Sequence, residues 1–305
     1  MKIAITGATG FVGTRLVEKL SSQGEQIIVF ARHQHKAEKL FPKSQFPDVE
    51  IVLYNALESG LWQDKISGCD VVINLAGEPI AARWSSDYKK AIMDSRKLGT
   101  EKIVEAISKA NIKPSVLINS SAIGYYGISD TADFTEESPS GNDFLAQVCT
   151  EWEKAAIKAE EIGTRVVILR TGIVLGMGGA IAKMLTPFKL FTGGTIGSGR
   201  QWISWIHRED LINLILFSMK NSQVLGVLNA TAPNPVKMEE LAHKLGEVLH
   251  RPSWLPVPDL ALKLLLGDAA IVVLEGQKVL PKKTLNVGFE FQYTEIKSAL
   301  GEFLS

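Results

Sequence analysis

Lys2-Ile-Ala-Ile-Thr6 running into Gly7-Ala-Thr-Gly10-Phe-Val-Gly13 is the stretch on which the fold turns. A short apolar strand meets three glycines spaced three apart, and a helical pattern opens at Phe11 within them and continues to about residue 23. Strand, glycine loop and helix in that order are the setting in which a Gly-x-x-Gly-x-x-Gly pattern carries chemistry. The first glycine permits a tight turn, the second lets backbone approach a diphosphate, and the third lets helix and strand pack closely. The mouth of the helix then offers unpaired N–H groups and the positive end of its dipole to phosphate oxygens. Gly7, Thr9, Gly10, Phe11, Val12 and Gly13 are therefore candidate contacts to a dinucleotide.

Working outward, residues 26–31, 50–54, 70–75, 115–120 and 165–169 read as further strands, rich in Val, Ile and Leu. Near-continuous apolar strands suit a parallel sheet covered on both faces. Helices are predicted over 11–23, 86–111 and 143–162, the last stopped by Gly163. Strand–helix alternation implies an α/β, doubly wound parallel sheet of the Rossmann type. From about Gly172 the pattern changes to a glycine-rich run, then a strand at 202–206, a helix at 207–220, a strand at 226–230, a helix at 238–249 and a proline-punctuated tail. The expected division is a nucleotide-binding domain over 1–175, with segments around 201–232 returning to its sheet, and a small C-terminal α/β lobe over 176–305.

Bulk properties exclude several classes. Of 305 residues, 46% are hydrophobic and 22% charged, an ordinary globular balance. Basic and acidic residues cancel at 33 each, so nothing electrostatic points to nucleic acid or an anionic membrane surface. Cys69 and Cys149 lie far apart without metal-ligand spacing, which argues for a reducing compartment and no metal site. The apolar run at 260–274 is broken by Lys263, Gly267 and Asp268 and is too short to span a bilayer. The opening residues read as a strand rather than a signal peptide, so cytoplasm or plastid stroma is the expected location. A protein partner or a second copy of the chain stays open.

Arg32 ends the second strand about twenty residues past the glycines, where NAD enzymes carry an acid for the ribose 2′-hydroxyl; an arginine suits the 2′-phosphate of NADP(H). Ala76 and Gly77 end the fourth strand at the sheet edge where ligands bind, and Glu78 follows within reach of a ribose. Arg83 reads as a fork for phosphate or an anionic substrate, or as plain surface charge. Ser120, Arg170 and Gly172 end later strands and complete the candidate cofactor set.

The same loop with Asn74-Leu-Ala-Gly77 and Ser120-Ser121 resembles the extended short-chain dehydrogenase/reductase superfamily. Asn74-Leu-Ala-Gly-Glu-Pro-Ile80, Arg83-Trp84, Ser95-Arg96, Trp152-Glu153, Arg170-Thr-Gly-Ile-Val-Leu-Gly176, Trp205-Ile-His-Arg-Glu-Asp210 and Glu275-Gly-Gln-Lys-Val-Leu-Pro281 sharpen the match. They are similar to the atypical "epimerase family" subgroup, which includes bacterial proteins labelled cell-division inhibitors and the plant plastid-division factor Giant Chloroplast. The resemblance implies an NADP(H)-binding Rossmann domain and the subgroup's C-terminal domain.

It also implies a catalytic Tyr and Lys four residues apart on the helix after the fifth strand, with a Ser or Thr at that strand's end. Here Ser121 takes the Ser place, but Cys149 stands where Tyr is expected and Glu153 where Lys is expected. Lys154 is one position off, turned by about 100° on a helix. A carboxylate can accept ribose hydroxyls, yet it raises a neighbour's pKa where a lysine lowers it. Cys149 is left as an acid, a nucleophile or an inert core thiol, and Tyr126, beside Tyr125, as a replacement proton donor or a stacked aromatic. Two readings follow: an NADPH-dependent oxidoreductase or epimerase of unknown small-molecule substrate with an altered catalytic set, or a silent NADPH-binding regulator acting through partners, for example in cell or plastid division.

Overall fold

Successive residues of the opening strand enter two different cores, as the pleat requires. Ile3 and Ile5 go to one side, Ala4 to the other. The computed structural model describes residues 1–304. In it β1 (Lys2–Thr6), β2 (Gln26–Ala31), β3 (Val49–Leu53), β4 (Val71–Asn74), β5 (Val116–Ala122), β6 (Arg165–Thr171) and β7 (Gly226–Ala230) form one parallel sheet in the order β7-β6-β5-β4-β1-β2-β3. The α-helices up to Leu266 are α1 (Phe11–Ser22), α2 (Gln34–Leu40), α3 (Ser86–Lys109), α4 (Phe144–Ile157), α5 (Gly179–Lys189), α6 (Arg208–Lys220), α7 (Met238–Leu249) and α8 (Asp259–Leu266).

One core joins Ile5, Val29, Ile73, Ile118 and Leu169 to α1 and α6; the other joins Phe30, Val72, Leu117 and Ile168 to α3 and α4. This is the doubly wound arrangement the strand pattern predicts. The strand order reverses between β1 and β4, and a crevice forms outside the carboxyl ends of strands at such a point.

Two local expectations change. The helix expected to reach 162 stops at Ile157, and a separate single turn, Glu160–Ile162, leads to Gly163 at a φ of 86°, a left-handed angle that glycine adopts without a Cβ clash. Of the segments expected to return to the sheet, only β7 does so. Trp202–Ile203 pairs antiparallel with Val236–Lys237, and Trp205–His207 pairs with Ile173–Leu175, both outside the main sheet. The break falls at Ser204, whose hydroxyl donates to Gln277 O at 2.8 Å and accepts from Val279 N at 2.9 Å, tying this point to the tail.

A third core gathers Phe188 of α5, Trp205, Leu241 and Leu245 of α7, and Ile296 and Leu300 of the terminal helix Ile296–Leu304. Trp205 is fully buried and its indole N–H reaches Asn234 O at 3.0 Å. Among the described residues no helix is long and apolar enough to cross a membrane.

Candidate functional site

The glycine loop has the geometry its spacing predicts. Gly7 sits at a φ of 70°, and a Cβ there would come within 2.6 Å of Leu75 backbone. A Cβ on Gly13 would lie 2.4 Å from Gly7 O, so only glycine lets α1 start this close to β1. Gly10 differs: its backbone is extended (φ −88°, ψ 177°), it is exposed, and the one atom near an added Cβ is Gly7 O at 3.2 Å. Gly10 caps α1 without a side chain, and no acidic residue stands in the first turn. The amides at the helix mouth therefore face a crevice of about 210 Å³, bordered by Gly7, Gly10, Phe11, Val12, Gly13 and Ser120 among others. Thr9 lies in the turn but off this lining.

Arg32 and Glu78 meet beside it, Nη1 to Oε2 at 3.4 Å, with the Arg32 side chain 61% exposed. So exposed and long a pair contributes at most ~1 kcal/mol and leaves the guanidinium available. Gly77 is exposed at the end of this loop, and Arg83 instead donates to Leu264 O at 3.3 Å, tying the segment to α8. One further cation was not singled out from sequence. Arg208, the first residue of α6, holds its guanidinium 4.9 Å from the Phe11 ring centre, and its buried Nε has no hydrogen-bond partner among the described residues. The block Trp205-Ile-His-Arg-Glu-Asp210 was the available signal; nothing local says that it folds over the glycine loop.

The pleat separates the paired serines. Ser120 faces the crevice, while Ser121 faces α4 and donates to Glu153 Oε1 at 2.6 Å. Arg170 lays Nε and Nη2 on the two Glu153 oxygens at 2.8 and 2.7 Å, and its Nη1 donates to Tyr126 Oη at 3.0 Å. Tyr126 in turn donates to Asn229 Oδ1 at 2.6 Å, and its ring stacks on Phe134. All five side chains are buried. Burial works to lower the Arg170 pKa, but the bonds and charge of Glu153 outweigh it and hold the value above normal. Burial pushes the Tyr126 phenol up to about 12, the wrong direction for a proton donor near neutrality.

Ser121, Tyr126, Glu153 and Arg170, expected to face substrate or cofactor, are thus joined to one another in a buried network. The reason is charge: a buried carboxylate needs a cation, and Arg170 on β6 supplies it.

Cys149 does reach a hollow. It borders a cleft of about 270 Å³ with Ala122, Gly124, Gly172 and Arg96, walled mostly by apolar and aromatic side chains. Burial, then the Glu153 charge, pushes its thiol up to about 11, so it is a neutral thiol rather than a nucleophile at neutral pH. Cleft and crevice share one residue, Thr171 at the end of β6. Among the described residues no group of three or more acids, histidines or cysteines is placed to hold a metal ion.

Comparison with known proteins agrees with this architecture. The "NAD dependent epimerase/dehydratase family" profile matches residues 3–230, and a domain of unknown function, DUF1731, matches 257–303. The chain is 50% identical over 303 residues to "Epimerase family protein SDR39U1 homolog, chloroplastic" of Arabidopsis thaliana, covering 98% of this chain and 86% of that one. It is 39% identical over 306 residues to "Epimerase family protein YfhF" of Bacillus subtilis, covering 100% and 98%. The crystal structure of human epimerase family protein SDR39U1 with NADPH superposes with a TM-score of 0.86 at 33% identity, covering 100% of this chain and 99% of that one. With a family profile over most of its length and relatives aligned end to end, this chain belongs to the NAD dependent epimerase/dehydratase family, in its SDR39U1-like subgroup.

Proposed function

We propose that the chain binds NADPH in the glycine-loop crevice and acts as an oxidoreductase or epimerase on a small substrate held in the adjoining cleft. The observation that carries this reading is the meeting of the two hollows at Thr171. The residues present fit the cofactor. Gly10 adds no Cβ before the uncapped amides of α1, Arg208 keeps a buried Nε without a partner, and Arg32 extends an available guanidinium. The human relative solved with NADPH supports the same choice of nucleotide.

In this reading the α1 amides and Arg208 hold the diphosphate, and Arg32 holds the 2′-phosphate. Bound there, the cofactor supplies hydride-transfer chemistry. Cys149, alone of the four catalytic candidates, borders the cleft, and its neutral thiol donates to Ala122 O at 3.6 Å, adding one polar group to the wall of the substrate space. The Ser121–Glu153–Arg170 network fixes the strand ends behind it.

A second reading, a silent NADPH-binding regulator, is favoured by one observation: Glu153 in the lysine place is locked to Arg170. The "chloroplastic" name of the Arabidopsis relative supports a plastid setting. Calorimetry with NADPH and NADH, followed by NADPH-oxidation assays over aldehydes, ketones, quinones and nucleotide sugars, tests both. NADPH binding with turnover that Cys149→Ala removes supports the enzyme. Binding with no turnover across the panel supports the regulator, and absence of binding heat with either nucleotide sinks both.

A further inference from the structure

Two arginines, Arg96 on α3 and Arg170 on β6, differ in what they hold. Arg170 grips Glu153 with its Nε–Nη2 edge. Arg96, on α3, donates twice, both times from Nη1, to Glu78 O at 3.0 Å and Ile92 O at 3.2 Å. Its own Nε–Nη2 edge has no acceptor, and no carboxylate lies within ion-pair distance of it, among the described residues. Glu78, the nearest acid in sequence to its contacts, turns its carboxylate to Arg32 instead.

The guanidinium is fixed in place. The Trp152 ring centre lies 5.1 Å from Cζ, and Gly77 leaves room beside the guanidinium that a Cβ would close to 3.0 Å. Burial lowers the Arg96 pKa, the opposite direction from Arg170. A desolvated cation without an anion is unfavourable, and such groups concentrate where a ligand completes them.

Arg96 is also the one cation lining the cleft among the described residues. Around it stand Ile80, Trp84, Phe144, Leu145, Val148 and Ile271. Two acids border the same space: Asp143, which caps α4 through Ala146 N, and exposed Glu275. One positive charge among apolar walls, with acids nearby, matches a single negative charge and leaves a phosphate dianion half uncompensated. We propose that the cleft binds a monocarboxylate with an apolar body, its carboxylate held in two parallel bonds by the Nε–Nη2 edge of Arg96. This rests on the reading of the cleft as the substrate space.

The test titrates the full chain, saturated with NADPH, with octanoate, cinnamate and their amides, read by fluorescence of the cleft tryptophans Trp84 and Trp202 and by calorimetry. At least one acid binds ~10-fold more tightly than its amide, the difference a charge-assisted pair of bonds supplies, and more tightly than phenyl phosphate. Arg96→Met removes the acid–amide difference, Arg96→Lys keeps part of it, and NADPH affinity is unchanged in both. Equal affinity for acid and amide in every pair, no binding of any acid, tighter binding of phenyl phosphate, or a preference that survives Arg96→Met overturns the proposal. Where Arg96→Met does not fold, the wild-type acid–amide comparison and Arg96→Lys decide. Failure of NADPH itself to bind strikes the functional reading above, whereas NADPH binding without acid preference strikes this inference alone.

Discussion

On the α1 side of the sheet's carboxyl edge, helix amides stand without a side-chain cap and Arg208 keeps a buried Nε unpartnered. On the α4 side of the same edge, Ser121, Glu153, Arg170, Tyr126 and Asn229 bond one another and are buried. Each side carries an arginine and uses it oppositely. Unsatisfied donors beside an open crevice stabilise a bound anion; satisfied groups in the interior stabilise the fold. Polar residue type at the end of a strand therefore does not identify a catalytic residue; the side of the pleat and the partner do.

The comparison is sharpest where a substitution moves stability on one side and affinity on the other. Glu153→Ala strands Arg170 in the interior, and breaking a buried pair in this way costs ~3–5 kcal/mol. Urea unfolding should register that loss, while NADPH affinity of the folded fraction stays near wild type. A cost within experimental error would mean that the network does not hold the sheet edge.

Gly10→Val should do the reverse. Its backbone angles suit any residue and only the 3.2 Å approach of an added Cβ to Gly7 O has to relax, so the melting temperature falls less than the binding does. The added side chain fills the space before α1, and calorimetry should find NADPH binding weaker by ~100-fold, about 2.7 kcal/mol. Unchanged affinity would remove the crevice from the cofactor argument.

A smaller effect is expected at Arg32. Its replacement by alanine removes one charged contact, and the preference for NADPH over NADH should shrink by ~10-fold, as a charge-assisted hydrogen bond implies. Parallel titration of both nucleotides reads the ratio; an unaltered ratio would put the 2′-phosphate elsewhere.

The smallest expected signal lies at Cys149, on α4 beside the network. The thiolate is the reactive form, and burial raises the thiol to about 11. Raising the value lowers the reactive fraction at neutral pH, so native protein should alkylate slowly with iodoacetamide there and faster as pH climbs towards 11. Mass spectrometry assigns the site and separates it from Cys69, which burial also pushes up to about 11. Alkylation of Cys149 at neutral pH as fast as free cysteine would show an open thiolate instead.

Much of the crevice was legible from the chain because it is local. Gly7, Gly10 and Gly13 act through backbone geometry within one turn, and Arg32 follows from the length of one strand–helix–strand unit. The network was not legible. Glu153 meets Arg170 from another element 17 residues on, and Tyr126 meets Asn229 across 103. Ser120 and Ser121, adjacent and identical, part company only because the pleat sends neighbours to opposite faces.

Taken alone, the chain determined the sheet, the glycine turn and the nucleotide-binding end, since these depend on hydrophobic period and on angles that few residue types allow. Only the tertiary structure decided that Glu153 has a cation while Arg96 has no anion among the described residues, and that the strand after Gly199 breaks at Ser204 and leaves the main sheet. Such pairings are chosen by burial and charge compensation between distant segments, quantities that no local pattern encodes.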